Sequence, residues 1–191
     1  MLALVSSIAV MTGASYDDDD KYLDAFTARI EVLARTHAEL SRKKWLGGDL
    51  KSVLTNELTP FVALPSDKIS LQGPSAYING RALQSLAMVF HELVTNAIKY
   101  GALSEKGKRL VVTWSLSSSE LSIQWVEEIE PHSECTGENP EPLHTGFGST
   151  VIESTIQLQL RGKLERTLTA QGIRYSIRIP TDQISYKEPL R

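Results

Sequence analysis

Apolar residues open the chain at helical spacing. Met1, Leu4, Val5, Ile8 and Met11 follow the i, i+3, i+4, i+7 rule. Residues 1–14 are therefore expected to form a buried amphipathic helix. They lack the basic start of a secretory leader, and they fall short of the roughly 20 residues that a membrane span needs. An acidic run, Asp17 to Asp20, is closed by Lys21 and reads as a loop with Asp20 as the cap of a second helix. In that helix Leu23, Phe26, Ile30, Leu33, His37 and Leu40 alternate spacings of three and four, the pattern of a helical seam. Arg29, Glu31, Arg35 and Glu39 fall off the seam, and His37 sits on it as a structural histidine. Two helices bury little by themselves, so the hairpin is expected to dimerise through residues 1–42 into a four-helix bundle.

Trp45-Leu-Gly-Gly breaks the seam, which sets a domain boundary near 45–48. The expected division is a hairpin over 1–45, a second domain over 46–180 and a tail over 181–191. Asp49 can cap a helix running to about Glu57, closed by Pro60. Residues 68–72 and 76–78 read as short strands around a Gly73-Pro74 turn. A long helix over 80–99 buries Leu83, Leu86, Ala87, Phe90, Leu93, Val94 and Ala97. Alternating strands follow at 109–117 and 120–127, then a loop rich in Pro and Gly over 128–145. A helix over 149–161 and strands at 163–169 and 173–179 complete the domain. Helices and a mostly antiparallel sheet in this order argue for an α+β two-layer sandwich preceded by the helical hairpin.

Composition adds little to that frame. With 41% hydrophobic and 23% charged residues the chain reads as globular, and one cysteine, Cys135, fits a reducing, cytoplasmic setting. A net charge of −3 does not advertise nucleic-acid binding. The charge is unevenly spread, however. Six glutamates (127, 128, 130, 134, 138 and 141) occupy one stretch without a lysine or arginine.

Candidate chemistry lies on the 80–99 helix. Glu92, Asn96 and Lys99 are spaced i, i+4, i+7 and make one polar stripe. A carboxylate can orient a water, an amide oxygen can ligate Mg²⁺, and an amine can meet phosphate. The same stripe could equally be a solvated helix face. Gly146-Phe-Gly-Ser149-Thr150 opens the next helix, where free N–H groups and the dipole favour an anion.

Taken in order, His91-Glu-Leu-Val-Thr-Asn-Ala-Ile-Lys-Tyr-Gly, then Trp125-Val-Glu127, then Gly146-Phe-Gly-Ser-Thr resemble the HWE-type sensor histidine kinases. The segment Arg29-Ile-Glu-Val-Leu-Ala-Arg-Thr-His is similar to that family's second dimerisation helix. The resemblance implies a dimerisation region followed by a Bergerat-type domain that binds ATP with Mg²⁺. It implies Asn96 as the Mg²⁺ ligand and Glu92 as the acid that positions the reacting group or a water. Lys99 and Tyr100 would border the nucleotide, and Glu127 would anchor the adenine amine. Gly146 and Gly148, followed by Ser149 and Thr150, would form the glycine box and lid. Trp125 is read here as plain strand packing.

Two departures accompany the likeness. The family continues with glycines after the Trp-x-Glu, where this chain has Glu128-Ile-Glu-Pro131. The family's phosphoacceptor motif, His-Arg-x-x-Asn, has no counterpart among His37, His91, His132 and His144. The expectation is a transmitter region that begins just after its phosphoacceptor. It would pass the γ-phosphoryl of ATP to a histidine of a longer chain, and onward to an aspartate of a response regulator. The alternative is a non-catalytic dimeric docking or phosphotransfer module. No membrane contact is expected from this segment.

Overall fold

The computed structural model describes residues 19–42, 47–130, 147–169 and 171–185. The first helix of the expected hairpin, the break at 45–46, most of the 128–145 loop, Gly146 and the His37 side chain lie outside the described residues. Helix α1 spans Asp19–Arg42 and already includes Asp20, which is therefore a helical position rather than a cap. A short strand β1, Gly48–Asp49, leads into α2, Leu50–Leu58. As expected, the Asp49 side chain caps α2 by accepting from the Ser52 amide.

The two strands expected to flank the Gly73-Pro74 turn do not pair with each other. Strand β2, Ile69–Gln72, lies parallel to β4, whereas β3, Tyr77–Ile78, pairs with β1. Helix α3, Gly80–Tyr100, is followed by β4, Gly107–Leu116, and β5, Glu120–Ile129. Glu128 and Ile129 thus prolong a strand instead of opening a loop. Helix α4 begins at Phe147, two residues early, runs to Ser154 and continues as a π-helical turn over Thr155–Gln159. Strands β6, Lys163–Thr169, and β7, Gly172–Pro180, complete a five-stranded sheet of order β2-β4-β5-β7-β6, antiparallel except at β2.

Alternation gives the sheet one dry face. Leu110, Val112 and Trp114 of β4, Leu121, Ile123 and Trp125 of β5, and Tyr175, Ile177 and Ile179 of β7 share one core with α2 and α3. Leu86, Phe90, Leu93 and Val94 of α3 fill that core, as their helical period requires. The opposite face carries pairs such as Gln124 with Ser176. The result is the helices-on-sheet, two-layer α+β architecture read from the sequence.

The supposed tail also contributes. Thr181–Ile184 forms helix α5, and Ile184 is buried. Asn79 caps α3 by accepting from the Ala82 amide, while its own amide side chain donates to the carbonyls of Gln183 and Ser185. Asn79→Ala is expected to cost about 1–2 kcal/mol, more than an isolated cap, because it also unties the chain end. Urea unfolding measures the difference, and Asn79→Asp, which keeps the cap alone, should recover part of it.

Candidate functional site

The stripe read on α3 is graded from dry to wet. Glu92 is 4% exposed, Asn96 is half-buried, and Lys99 and Tyr100, in the last turn, are exposed. The solvated-face alternative therefore fails for Glu92. A buried carboxylate needs a partner, and Glu92 finds it outside the domain core, in α1. Arg29 Nε lies 2.8 Å from Oε1 and its NH2 donates to Oε2 at 3.0 Å, a two-pronged ion pair. Arg29, expected off the seam, is 5% exposed. The buried line of α1 is Arg29, Val32, Leu33 and Thr36, turned from the expected seam, and Leu23, Phe26 and Ile30 stay partly or largely exposed.

The opening of α4 packs against the same carboxylate. A Cβ added at Gly148 would come 2.8 Å from Glu92 Oε2 and 3.5–3.6 Å from the Asn96 amide. A side chain here would press on the Glu92 carboxylate, so glycine lets this turn lie close over Glu92 and Asn96. Ser149 is half-buried and Thr150 exposed beside it.

A second polar centre lies past the C-terminus of α3. Glu127, on the core face of β5 between Leu110 and Ile173 of the neighbouring strands, is 3% exposed. Its Oε1 accepts from Trp125 Nε1 at 2.8 Å and its Oε2 from the Ala102 amide at 3.0 Å. Trp125, read as strand packing, is fully buried and also holds this carboxylate in place. Burial raises the Glu127 carboxyl above its ordinary value of 4.5, while the hydrogen bonds from Trp125 and Ala102 pull the other way. Gly101 makes room for it, since a Cβ there would fall 1.7 Å from Oε2. Nine residues of helix separate Glu92 from Gly101, about 13 Å along the axis. The two carboxylates thus lie at different heights along α3, Glu92 beside Asn96 on its polar stripe and Glu127 against its C-terminal end.

Three further residues escaped sequence reasoning. Glu57 of α2, buried, has its Oε2 3.1 Å from His91 Nδ1 and accepts from Arg35 of α1 at 3.4 Å. With Thr36, Val53, Asn56, Thr59, Pro60 and Ala87, Arg35 and Glu57 line a cavity of about 520 Å³ between α1, α2 and α3. Arg29 was legible in principle. It stands three and four positions before Val32 and Leu33, on their side of the helix.

Among the described residues no three His, Cys, Asp or Glu side chains cluster as ligands. The half-buried Asn96 amide fits Mg²⁺ of the kind that keeps its waters and leans on substrate phosphates. Among the described residues no helix is long and apolar enough to cross a membrane.

A family model described as HWE histidine kinase matches residues 1–75. A blue-light-activated histidine kinase of Rhizobium johnstonii is 31% identical over 95% of this chain and 50% of its own length. One of Brucella ovis is 27% identical over 94% of this chain and 36% of its own length. The chain thus spans about a third to a half of the curated relatives it matches. Among solved structures, the Erythrobacter litoralis EL346 blue-light-activated histidine kinase aligns with 95% of this chain and 58% of its own, at a TM-score of 0.67 and 18% identity. That last likeness is one of fold. The family model and the curated relatives uphold the resemblance to HWE-type histidine kinases, and the solved structure upholds the fold.

Proposed function

We propose that this chain, a relative of the HWE-type histidine kinases, is the part of a sensor histidine kinase that binds ATP with Mg²⁺ and presents the γ-phosphoryl group. The observation that carries the reading is a pair of polar centres spaced along α3. A buried acceptor, Glu127, stands at one end, and the half-buried Asn96 under Gly148 stands toward the other. A purine amine donates to a fixed carboxylate oxygen, which keeps lone pairs beyond the two used by Trp125 and Ala102. Bound Mg²⁺, held by Asn96 with phosphate oxygens and water, supplies charge neutralisation for phosphoryl transfer. Lys99 and Tyr100, exposed at the end of α3, border the entrance, and the opening of α4 at Gly148, Ser149 and Thr150 covers the phosphates, with Gly146 the other glycine of the sequence motif.

The acidic surroundings are less hostile to a triphosphate than the sequence suggests. Glu92 is compensated by Arg29, and Glu127 is buried and accepts hydrogen bonds from Trp125 and Ala102. The receiving groups are a histidine of a longer chain and then an aspartate of a response regulator. The work takes place in a homodimer joined through residues 1–42, for which the exposed Leu23 and half-buried Phe26 and Ile30 of α1 offer a second apolar stripe. The division into a bundle part up to residue 45 and an ATP-binding part over 46–180 goes with this reading, as does a cytoplasmic setting.

Titration calorimetry with ATP and Mg²⁺ tests it. Saturable binding is expected, dependent on Mg²⁺ and weakened at least tenfold, about 1.4 kcal/mol, by Asn96→Ala. No heat at millimolar ATP would sink the kinase reading and favour a docking or phosphotransfer module, which the occupied Glu92 and the glycine-free Glu128-Ile-Glu-Pro131 segment would then explain.

A further inference from the structure

Alternation puts every second side chain of β5, β7 and β6 on the dry face of the sheet. At one end that face is not wholly apolar. The pairing register lines up Trp125, Tyr175 and Arg166 across the three strands, and Glu127, Ile173 and Leu168 in the next row. Glu127 and Tyr175 are therefore diagonal neighbours on one face, a separation that long side chains span. The two rows are unevenly covered. Trp125 and Glu127 are buried, Ile173 and Arg166 are half-buried, and Leu168 is exposed. Ile173 and Leu168 thus form an apolar shelf, with Glu127 at its inner end and Tyr175 and Arg166 along one side.

Tyr175 stands out in this group. It is 5% exposed, yet its hydroxyl makes no hydrogen bond among the described residues. A polar group this dry ordinarily has a partner. Burial raises the phenol above its ordinary value of 10.0, the Arg166 guanidinium pulls it down, and the Glu127 carboxylate pushes it up. The group is raised on balance, so at neutral pH it keeps its proton and is a donor. With β7 between β5 and β6, a carboxylate stands on one side of the phenol and a cation on the other. Their field turns the oxygen toward Arg166 and the proton toward Glu127. The proton is held beside that carboxylate without being spent on it.

We propose that Tyr175 is a second base-reading residue of the nucleotide site, its hydroxyl donating to a ring nitrogen that flanks the 6-amine of adenine. The inference rests on the adenine contact proposed above for Glu127. Adenine presents a donor, the amine, with acceptor nitrogens N1 and N7 to either side of it. An acceptor carboxylate beside a donor phenol matches that edge. Guanine carries a carbonyl in place of the amine, and that oxygen would face the Glu127 carboxylate. The shelf of Ile173 and Leu168 offers the flat face of the ring an apolar seat.

Titration calorimetry of the 191-residue chain with ATP, 1-deaza-ATP and 7-deaza-ATP, each with Mg²⁺, tests this. One analogue is expected to bind about three- to tenfold more weakly than ATP, the worth of one neutral hydrogen bond. Tyr175→Phe, which keeps the ring and its packing, should lose the same factor for ATP and bind that analogue and ATP alike. Ser176→Ala, on the opposite face of β7, should change none of these affinities. Equal binding of all three nucleotides by the parent chain would overturn the role of Tyr175 while ATP binding stands. So would a Tyr175→Phe variant that keeps the parent's preference. A parent chain that binds none of the three overturns the proposed function itself, and the role of Tyr175 with it.

Discussion

Glu127→Ala is expected to lose about 3 kcal/mol of stability, and with it any preference for adenine over guanine nucleotides. The loss has two sources. The Trp125 indole N–H and the Ala102 amide, both pointed at the carboxylate, become buried donors without a partner. The space left between Leu110, Ile173 and the end of α3 is a cavity that the sheet cannot close, because β5 is held in register on both sides. Urea unfolding reports the first effect, and competition between ATP and GTP the second. The pH dependence has a definite sign. Burial raises the carboxyl in the folded chain, so the fold holds this proton more tightly than the unfolded chain does. Its contribution is complete below the ordinary value of 4.5 and is lost as pH rises through the raised value. The deficit of the alanine variant should therefore be greatest in acid and shrink across that window. A deficit that grows with pH would mean that the two donors outweigh burial.

The sequence made the architecture legible because its strongest signals are periodic. Leu86, Phe90, Leu93 and Ala97 could only face a core, and the alternation through Leu121, Ile123 and Trp125 could only be a half-dry strand. Glu92 came into view as part of a polar stripe and Glu127 through the family resemblance, and the burial of Glu92 was not legible from its spacing. What remained hidden was pairing across long separations. Nothing local says that β2 joins β4 rather than β3, because both alternatives satisfy the turn at Gly73-Pro74. Nothing local says that Glu92 meets Arg29, 63 positions away. The face by which α1 docks on α3 was hidden for a related reason. Phe26 and Ile30 are apolar enough to define a stripe, but the face that docks on α3 starts with an arginine, which a hydrophobic count discards. A buried charge is legible from sequence only when its partner is already suspected.

Chain ends and element ends were read less well than their centres. The tail after residue 180 was set aside for its composition, yet Ile184 is buried and the carbonyls of Gln183 and Ser185 receive the Asn79 amide. Glu128 and Ile129 were given to a loop because of the prolines that follow. Both residues still pair with neighbouring strands, Glu128 opposite Arg109 and Ile129 opposite Gly107, past a register shift in β4. The strand therefore extends two residues beyond Glu127, which anchors that carboxylate on both sides along the chain.

Gly101→Ala is expected to be as damaging as the loss of Glu127 itself, and the two substitutions together should be milder than their sum. An alanine Cβ would occupy the place of Glu127 Oε2, at 1.7 Å, and would press the Ala97 Cα at 3.0 Å. No rotamer of alanine avoids this, so either the end of α3 or the carboxylate must move. Moving the carboxylate breaks its bond from Ala102, and moving the helix end breaks the Gly101 amide bond to the Ala97 carbonyl. Overpacking of this kind costs about 1–3 kcal/mol, and the lost hydrogen bond adds to it. In the Glu127→Ala background the clashing oxygen is gone and only the milder contact with Ala97 remains. A double-mutant cycle by urea unfolding should then give a coupling of about 2 kcal/mol favouring the pair. Strict additivity would mean that Gly101 is required for the turn and not for the carboxylate. A large coupling, with ATP binding lost in either single variant, would tie the shape of this turn directly to the buried acceptor that the proposed adenine contact needs.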